Sequence, residues 1–388
     1  MQTPRLRTII TVGLAIVLVT GCSKQAKKAR LVHDAETYFK AGNYDKAKVS
    51  YLNVLRLDPQ NALAFERIGA MWQDDVAPLR AAPFLKKASE LDPDNVENRI
   101  RLARCYLAVG AFGDAKTEAL GVLQQVPADG DAIMILAESA HSKEDVEAAA
   151  QQIEKFPVRN NVSFHLASAN LFLRKSDAMA AMISVRHALA VDPKSSAAHM
   201  ALGDLYLFQK DAKQAAEEYK KAADLAPIRS TERLKYAAFK SATSDAEEAR
   251  RIANEMTRQV PDYLPGWVLL ADLASKDKKY DEALSFLENA FGRDPEYFDG
   301  RKLQSEVLMA KGETKDALQV LQQLDNTYSG VPLIKYQLGA AYLKNNNVIE
   351  AKVALEQALS SNPNYLDATS MLAEITSAPA TVIWRSNR

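Results

Sequence analysis

The chain has 388 residues with 49 basic and 49 acidic side chains, and 47% apolar, 25% charged and 7% aromatic residues, a composition that excludes a disordered, collagenous or polytopic protein. Its 62 alanines against 15 glycines favour helix and argue against an all-β fold. Zero net charge argues against a nucleic-acid binder, which needs a basic field over phosphate, so a protein partner is expected.

In chain order, the first segment is a targeting one. Met1 to Cys22 has Arg5 and Arg7 as a positive flank, an apolar stretch from Ile9 to Val19 and small residues ahead of Cys22, the pattern of a signal peptide. The apolar stretch is too short to span a bilayer. Val19-Thr20-Gly21-Cys22 resembles the bacterial lipobox, which implies cleavage before Cys22 and lipid on its sulfur; a plain secretory signal is the alternative. Two or three acyl chains would anchor the protein without spanning the membrane. Ser23 after the cysteine, in place of Asp, implies by the same resemblance an outer-membrane location facing the periplasm. Residues 23–27 then form a basic tether, and Lys24, Lys27, Lys28 and Arg30 would lie near the lipid surface. Loss of residues 1–22 leaves 47 basic against 49 acidic residues. Cys105 is the other cysteine; among Leu102, Ala103 and Tyr106 it reads as a small buried helix residue, with no thiol partner for a disulfide.

From there a repeat takes over. Prolines fall at Pro59, Pro93, Pro127, Pro157, Pro193, Pro227, Pro261, Pro295 and Pro363, with gaps of 34, 34, 30, 36, 34, 34, 34 and 68 residues, a 34-residue period. Small residues recur in phase at Ala35, Gly69, Ala103, Ala137, Ala169, Gly203, Ala237, Ala271, Ser305 and Gly339. A second column, at Ala47, Ala81, Ala115, Ala149, Ala181, Ala215, Ala249, Ala283, Ala317 and Ala351, is all alanine. Such columns are what two closely approaching helices need, and the knobs for these holes stand four residues beyond the second column, as Tyr51, Leu85, Val185, Tyr219, Leu287, Leu321 and Leu355.

Two helices per period are predicted. The first ends near turns such as Lys40-Ala41-Gly42-Asn43 and Lys311-Gly312-Glu313, where Gly or Asn takes the left-handed conformation. The second ends at Leu57-Asp58-Pro59 and its equivalents, because proline disfavours helix in the residue before it. Three departures are expected. Pro78 and Pro83 should shorten the start of the second helix of repeat 2. Phe156-Pro157 leaves repeat 4 short and should change the local geometry, and Ser329 replaces the proline of repeat 9.

These residues resemble the tetratricopeptide repeat. Its small, small, small and proline pattern is matched by Gly203, Ala215, Ala222 and Pro227, and by Ala271, Ala283, Ala290 and Pro295. The resemblance implies an all-α, right-handed superhelical solenoid of about ten repeats over residues 28–376, with a last helix from Leu366 to Thr376. It also implies a concave groove lined by the first helices that binds a protein or peptide segment. Carried onto this chain, the groove positions are Glu36, Phe39, Arg104, Leu107, Glu138, His141, Asn170, Arg174, Asp204, Phe208, Asp272, Lys276, Glu306, Tyr336 and Lys344. Both charges and a few aromatics suit a mixed segment. A clamp for a C-terminal dicarboxylate is not supported, since Leu166 stands where its Lys should precede Asn170.

No chemistry accompanies the repeats. His33, His141, His165, His187 and His199 lie in different helices without paired cysteines or HExxH, and no nucleophile elbow or phosphate loop occurs. The expectation is a non-catalytic chain without cofactor or metal: a lipid-anchored scaffold similar to the repeat lipoproteins of exopolysaccharide and exosortase systems. Alternatives are an assembly factor for pili, outer-membrane proteins or peptidoglycan enzymes, and a glycan-binding part of an export machine. After Ile375 the pattern breaks into a tail, 377–388, so the last helix is either the polar cap or the start of a unit in a shortened relative.

Overall fold

The computed structural model describes residues 24–243 and 245–377. Residues 1–23, with the expected signal peptide and Cys22, and residues 378–388 lie outside them. Among the described residues there is helix and no strand, and no helix is long and apolar enough to cross a membrane. The helices pair along the chain into two α-solenoid units, one ending at Glu232 and one beginning at Arg233.

The first unit holds repeats 1 to 6. Repeat 1 is α1 (24–40) and α2 (Tyr44–Leu57), repeat 2 is α3 (Ala62–Asp74) and α4 (Pro78–Leu91), and repeat 3 is α5 (Val96–Ala108) and α6 (Phe112–Gln125). Repeat 4 is α7 (Gly130–Ser139) and α8 (Lys143–Lys155), repeat 5 is α9 (Val162–Arg174) and α10 (Ala178–Val191), and repeat 6 is α11 (Ser196–Phe208) and α12 (Ala212–Leu225). Lys24 and Lys27, expected in the tether, lie in α1. α13 (Thr231–Ala242) starts two residues before the boundary, and the second unit continues with α14 (Ala246–Gln259), α15 (Leu264–Lys276), α16 (Tyr280–Phe291), α17 (Phe298–Lys311), α18 (Thr314–Thr327), α19 (Pro332–Lys344), α20 (Val348–Ser361) and α21 (Leu366–Ser377).

Holes and knobs hold each pair together. Every residue of the all-alanine column is buried. A Cβ added at Gly69 would stand 2.6 Å from Leu85, one at Gly203 2.6 Å from Tyr219, and one at Gly339 2.8 Å from Leu355. The knob on the second helix therefore fills the space left by the small residue sixteen positions earlier on the first, and the helices can only approach this closely if that residue stays small. Cys105 is buried in α5 and its thiol is pushed up to about 12 by burial, the state of an inert packing residue.

A second periodicity fixes the turn between paired helices. Positive φ recurs at Gly42, Val76, Gly110, Ser176, Lys210, Lys278, Gly312 and Asn346. In repeat 1 the Gly42 N–H donates to Phe39 O at 3.0 Å and the Asn43 N–H to Tyr38 O at 2.9 Å, the bond pair of a Schellman ending. Repeats 2 and 6 repeat it with Ala77 to Trp72 and Asp211 to Tyr206, each at 2.9 Å. Val76, with φ of 53°, holds a β-branched side chain where such residues are strained.

The departures resolve in three ways. The shortened start expected in repeat 2 is absent: α4 has 14 residues with Pro78 at its opening and Pro83 inside. A proline in the first turn gives up an N–H that has no helical partner in any case. In repeat 9, Gly330 at φ of 86° turns the chain where Ser329 replaces proline. Repeat 4 is altered as expected, and at both helices. Its first helix has ten residues, there is no left-handed turn, Ser142 caps α8 by accepting from the Asp145 N–H at 3.0 Å, and α7 packs more heavily on α9 than on α8.

Candidate protein-binding face

The groove positions fall on first helices, where residues three and four apart share a face. In the first unit, Glu36 and Phe39 lie on α1, Arg104 and Leu107 on α5, Glu138 on α7, Asn170 and Arg174 on α9, and Asp204 and Phe208 on α11. His141 is a correction. Because α7 stops at Ser139, His141 leaves the helix, stacks on Phe112 with ring centroids 3.6 Å apart, and sets Nδ1 3.2 Å from Ser139 O.

Most of these side chains are engaged within the stack. Glu36 accepts from the Tyr51 hydroxyl and, at 3.1 Å, from Arg67 Nε. Burial alone would raise its carboxyl, but these hydrogen bonds outweigh it and hold the group below its ordinary value. Asp204 accepts from the Tyr219 hydroxyl at 2.6 Å, the same arrangement five repeats later, so the aromatic knob also fixes a carboxylate on the first helix. Arg104 pairs with Asp131 at 2.8 Å, and Arg174 donates to Glu138 O at 3.3 Å. Glu138 is half-buried, and burial lifts its carboxyl above the ordinary value against the pull of Arg104 and Arg174. Asn170 is also half-buried. Phe39 stacks on Tyr44 at 5.5 Å with the Arg67 guanidinium 5.0 Å from its ring.

The first helices of this unit also expose apolar side chains, as its second helices do at Val49, Met179 and Ile183. Phe208 is 72% exposed, and Leu207 on the same helix and Leu173 on α9 are 46% and 43% exposed. Leu173 and Leu207 occupy the repeat position of Leu107, itself half-buried. Sequence reasoning passed over both, although carrying the Leu107 column forward would have found them. Arg104, Glu138 and Asp204 occupy the repeat position three residues before this column, and Arg174 the one after it.

In the second unit Asp272 and Lys276 pair at 2.7 Å on α15, and Lys276 also donates to Ser241 Oγ at 3.1 Å. Glu306 accepts from Lys302 at 3.2 Å and from Gln337 at 2.7 Å, and Lys344 donates to Met309 O. Tyr336 is spent on packing: it lies against Leu355, Ala358 and Ala368, with the Tyr365 ring 5.4 Å away. A further surface, not foreseen, is an open cleft of about 380 Å³ lined by α18, α19 and α20, including Asp325, Lys335 and Tyr342. At its edge Ile349 is 78% exposed. Among the described residues no three His, Cys, Asp or Glu side chains are placed to hold a metal ion.

Comparison with known proteins agrees with this architecture. Family profiles described as tetratricopeptide repeat match residues 77–121 and 274–336, 166–227, and 35–61 and 334–365, so the chain is built from tetratricopeptide repeats, a fold typical of non-catalytic scaffolds for protein–protein interaction. Over 270 residues it is 25% identical to the Protein CTR9 homolog of Arabidopsis thaliana, covering 66% of this chain and 25% of that protein. The chain thus spans about a quarter of the length of that curated relative. Among solved structures it is similar to yeast Tom70, with a TM-score of 0.47 and 14% identity over 94% of this chain and 98% of that one. It is also similar to the anaphase-promoting-complex hetero-tetramer Cut9-Hcn1, with a TM-score of 0.45 and 14% identity over 88% and 74% of the two chains.

Proposed function

We propose that this protein is a lipid-anchored, non-catalytic scaffold of the bacterial cell envelope. It is held through Cys22 on the periplasmic side of the outer membrane and binds a protein segment along the first helices of its first unit, in the service of exopolysaccharide production or export. The observation that carries the binding reading is the exposed apolar side chains Leu173, Leu207 and Phe208 on successive first helices, with two arginines and two carboxylates at the groove positions of the same unit. An apolar strip with a mixed polar rim is the composition of a protein-recognition surface. A glycan platform would need exposed aromatic rings, and of Phe39, Phe208 and Tyr336 two are engaged in intramolecular packing. The anchor reading rests on Val19-Thr20-Gly21-Cys22 and the envelope reading on that motif with Ser23.

Crosslinking in the native envelope followed by mass identification tests it. A specific protein recovered with the parent chain and lost with Phe208→Asp supports the scaffold; recovery of polysaccharide alone, or of the same proteins with Phe208→Asp, sinks it. In parallel, Cys22→Ala should release the chain from the membrane fraction, and unchanged membrane association would remove the anchor.

A further inference from the structure

Repeat arrays are quasi-one-dimensional, each unit touching its neighbours and little else. One side chain in the first unit breaks that rule. Arg229, the last residue of repeat 6, reaches back 154 residues to place Nη1 3.1 Å from Asp75 Oδ1, and 187 residues to donate from Nη2 to Gly42 O at 3.3 Å. Its guanidinium carbon lies 4.4 Å from the centre of the Tyr44 ring. The Arg229 side chain is 10% exposed and that of Asp75 is fully buried, and Lys48 stands on the other Asp75 oxygen at 3.6 Å.

The receiving atoms come from the turns already described. Gly42 is the left-handed residue closing α1, Asp75 ends α3 just before Val76, and Tyr44 opens α2. Position by position, Arg229 is also an exception. The equivalent residues after repeats 1 to 5 are Asn61, Asn95, Asp129, Asn161 and Ser195, each of which accepts a hydrogen bond from the first turn of the following helix. A capping side chain stabilises the helix it precedes; repeat 6 carries arginine in that column, and α13 starts one residue later, with Ser230 directly before it.

We propose that Arg229 is a clasp that closes the first unit on itself, tying the end of repeat 6 to the turns of repeats 1 and 2. A planar guanidinium can fork across a carboxylate and a carbonyl while stacking on an aromatic face, which lysine cannot do. The consequence is mechanical. The terminal repeats of an open array fray independently, whereas repeat 1 of a clasped unit cannot open without releasing repeat 6, so the curvature of the binding face above is fixed by a contact remote from it. Because the pair is buried, added salt screens it little.

Hydrogen exchange on the full chain tests the clasp. Arg229→Gln should speed exchange at 41–48 and 74–77 together with 226–230, by about tenfold or more, and leave the repeat 3 turn at 109–112 unchanged. Asp75→Asn should produce the same pattern, and the double variant should be no worse than the harsher single one, as coupled partners require. Arg229→Lys should recover only part of the protection. Should Arg229→Gln not fold, Tyr44→Leu removes the stacking face together with the hydroxyl bond to Asp74 and the Phe39 stack, so release of the distant segment 226–230 is the outcome that reports on the clasp. Change confined to 226–230, or additive losses in the double variant, would overturn the proposal.

Discussion

The first helices of repeats 2 to 6 and the first helices α15, α17 and α19 begin in different ways. In the first unit α3, α5, α7, α9 and α11 are preceded by Asn61, Asn95, Asp129, Asn161 and Ser195, whose side chains accept from first-turn N–H groups at 2.7 to 3.2 Å. In the second unit the same position is Tyr263 before α15, Tyr297 before α17 and Val331 before α19, and none makes a side-chain cap. The two tyrosines are buried, and each is followed three residues on by glycine. A Cβ at Gly300 would stand 3.3 Å from the Tyr297 ring and 3.0 Å from Phe291. The first unit thus joins its repeats by satisfying a polar helix end, whereas the second, at α15 and α17, drives a buried aromatic side chain into the junction. The 34-residue period tolerates both because it is set by the alanine holes, which run unchanged through both units, and not by the linker.

The largest test of that difference is truncation of the plug. Tyr297→Ala should cost about 3–5 kcal/mol, as for a buried aromatic, read as lost hydrogen-exchange protection across α16 and α17. Tyr297→Asn would restore a cap and still lose the plug, so it should remain destabilised by about 2 kcal/mol. In the first unit Asn95→Ala should cost only about 1 kcal/mol, confined to the start of α5. Equal losses at Asn95 and Tyr297 would erase the distinction between the units.

Much of the fold was legible because it is written in steric volume at a fixed phase: Gly203 under Tyr219 and Gly339 under Leu355 can be read without knowing where the neighbouring repeat lies. The turn at Gly42 was legible for a similar reason, since glycine there states its own backbone conformation. Val76, Lys210 and Lys278 adopt the same left-handed turn without that signal; the packing of the pair imposes it on them. The binding face was far less legible. Whether Glu36 or Glu306 meets a partner depends on Arg67 and Gln337, each 31 residues away. His141 left the face because α7 turns three residues early, which the columns do not show, and Arg229 gave no signal because its partners are more than 150 residues distant.

The imposed turns give a smaller, opposite effect. Val76→Gly should stabilise the first unit by about 1 kcal/mol through relief of the left-handed strain, whereas Gly110→Val at the same repeat position should cost about as much. Both are read as shifts of the denaturant midpoint. A loss for Val76→Gly would mean that the valine side chain contributes more by packing than its backbone costs.

The smallest effect separates two carboxylates at one repeat position. Burial raises Glu138, so its folded state favours the protonated form; that contribution is complete below the ordinary value of 4.5 and is lost as pH climbs through the raised value. Glu36 is lowered once its hydrogen bonds to Tyr51 and Arg67 outweigh burial, so its contribution is present above 4.5 and is lost as pH falls through the lowered value. Glu138→Gln should therefore raise the melting temperature by about 1 °C at pH 7 with little change at pH 4, while Glu36→Gln should lower it at pH 7 and converge on the parent in acid. Thermal unfolding across pH 3–7 reads both. If the two variants shift in the same direction at pH 7, the environments of repeats 1 and 4 are alike in solution, and the shortened α7 with Arg104 and Arg174 beside it does not set Glu138 apart.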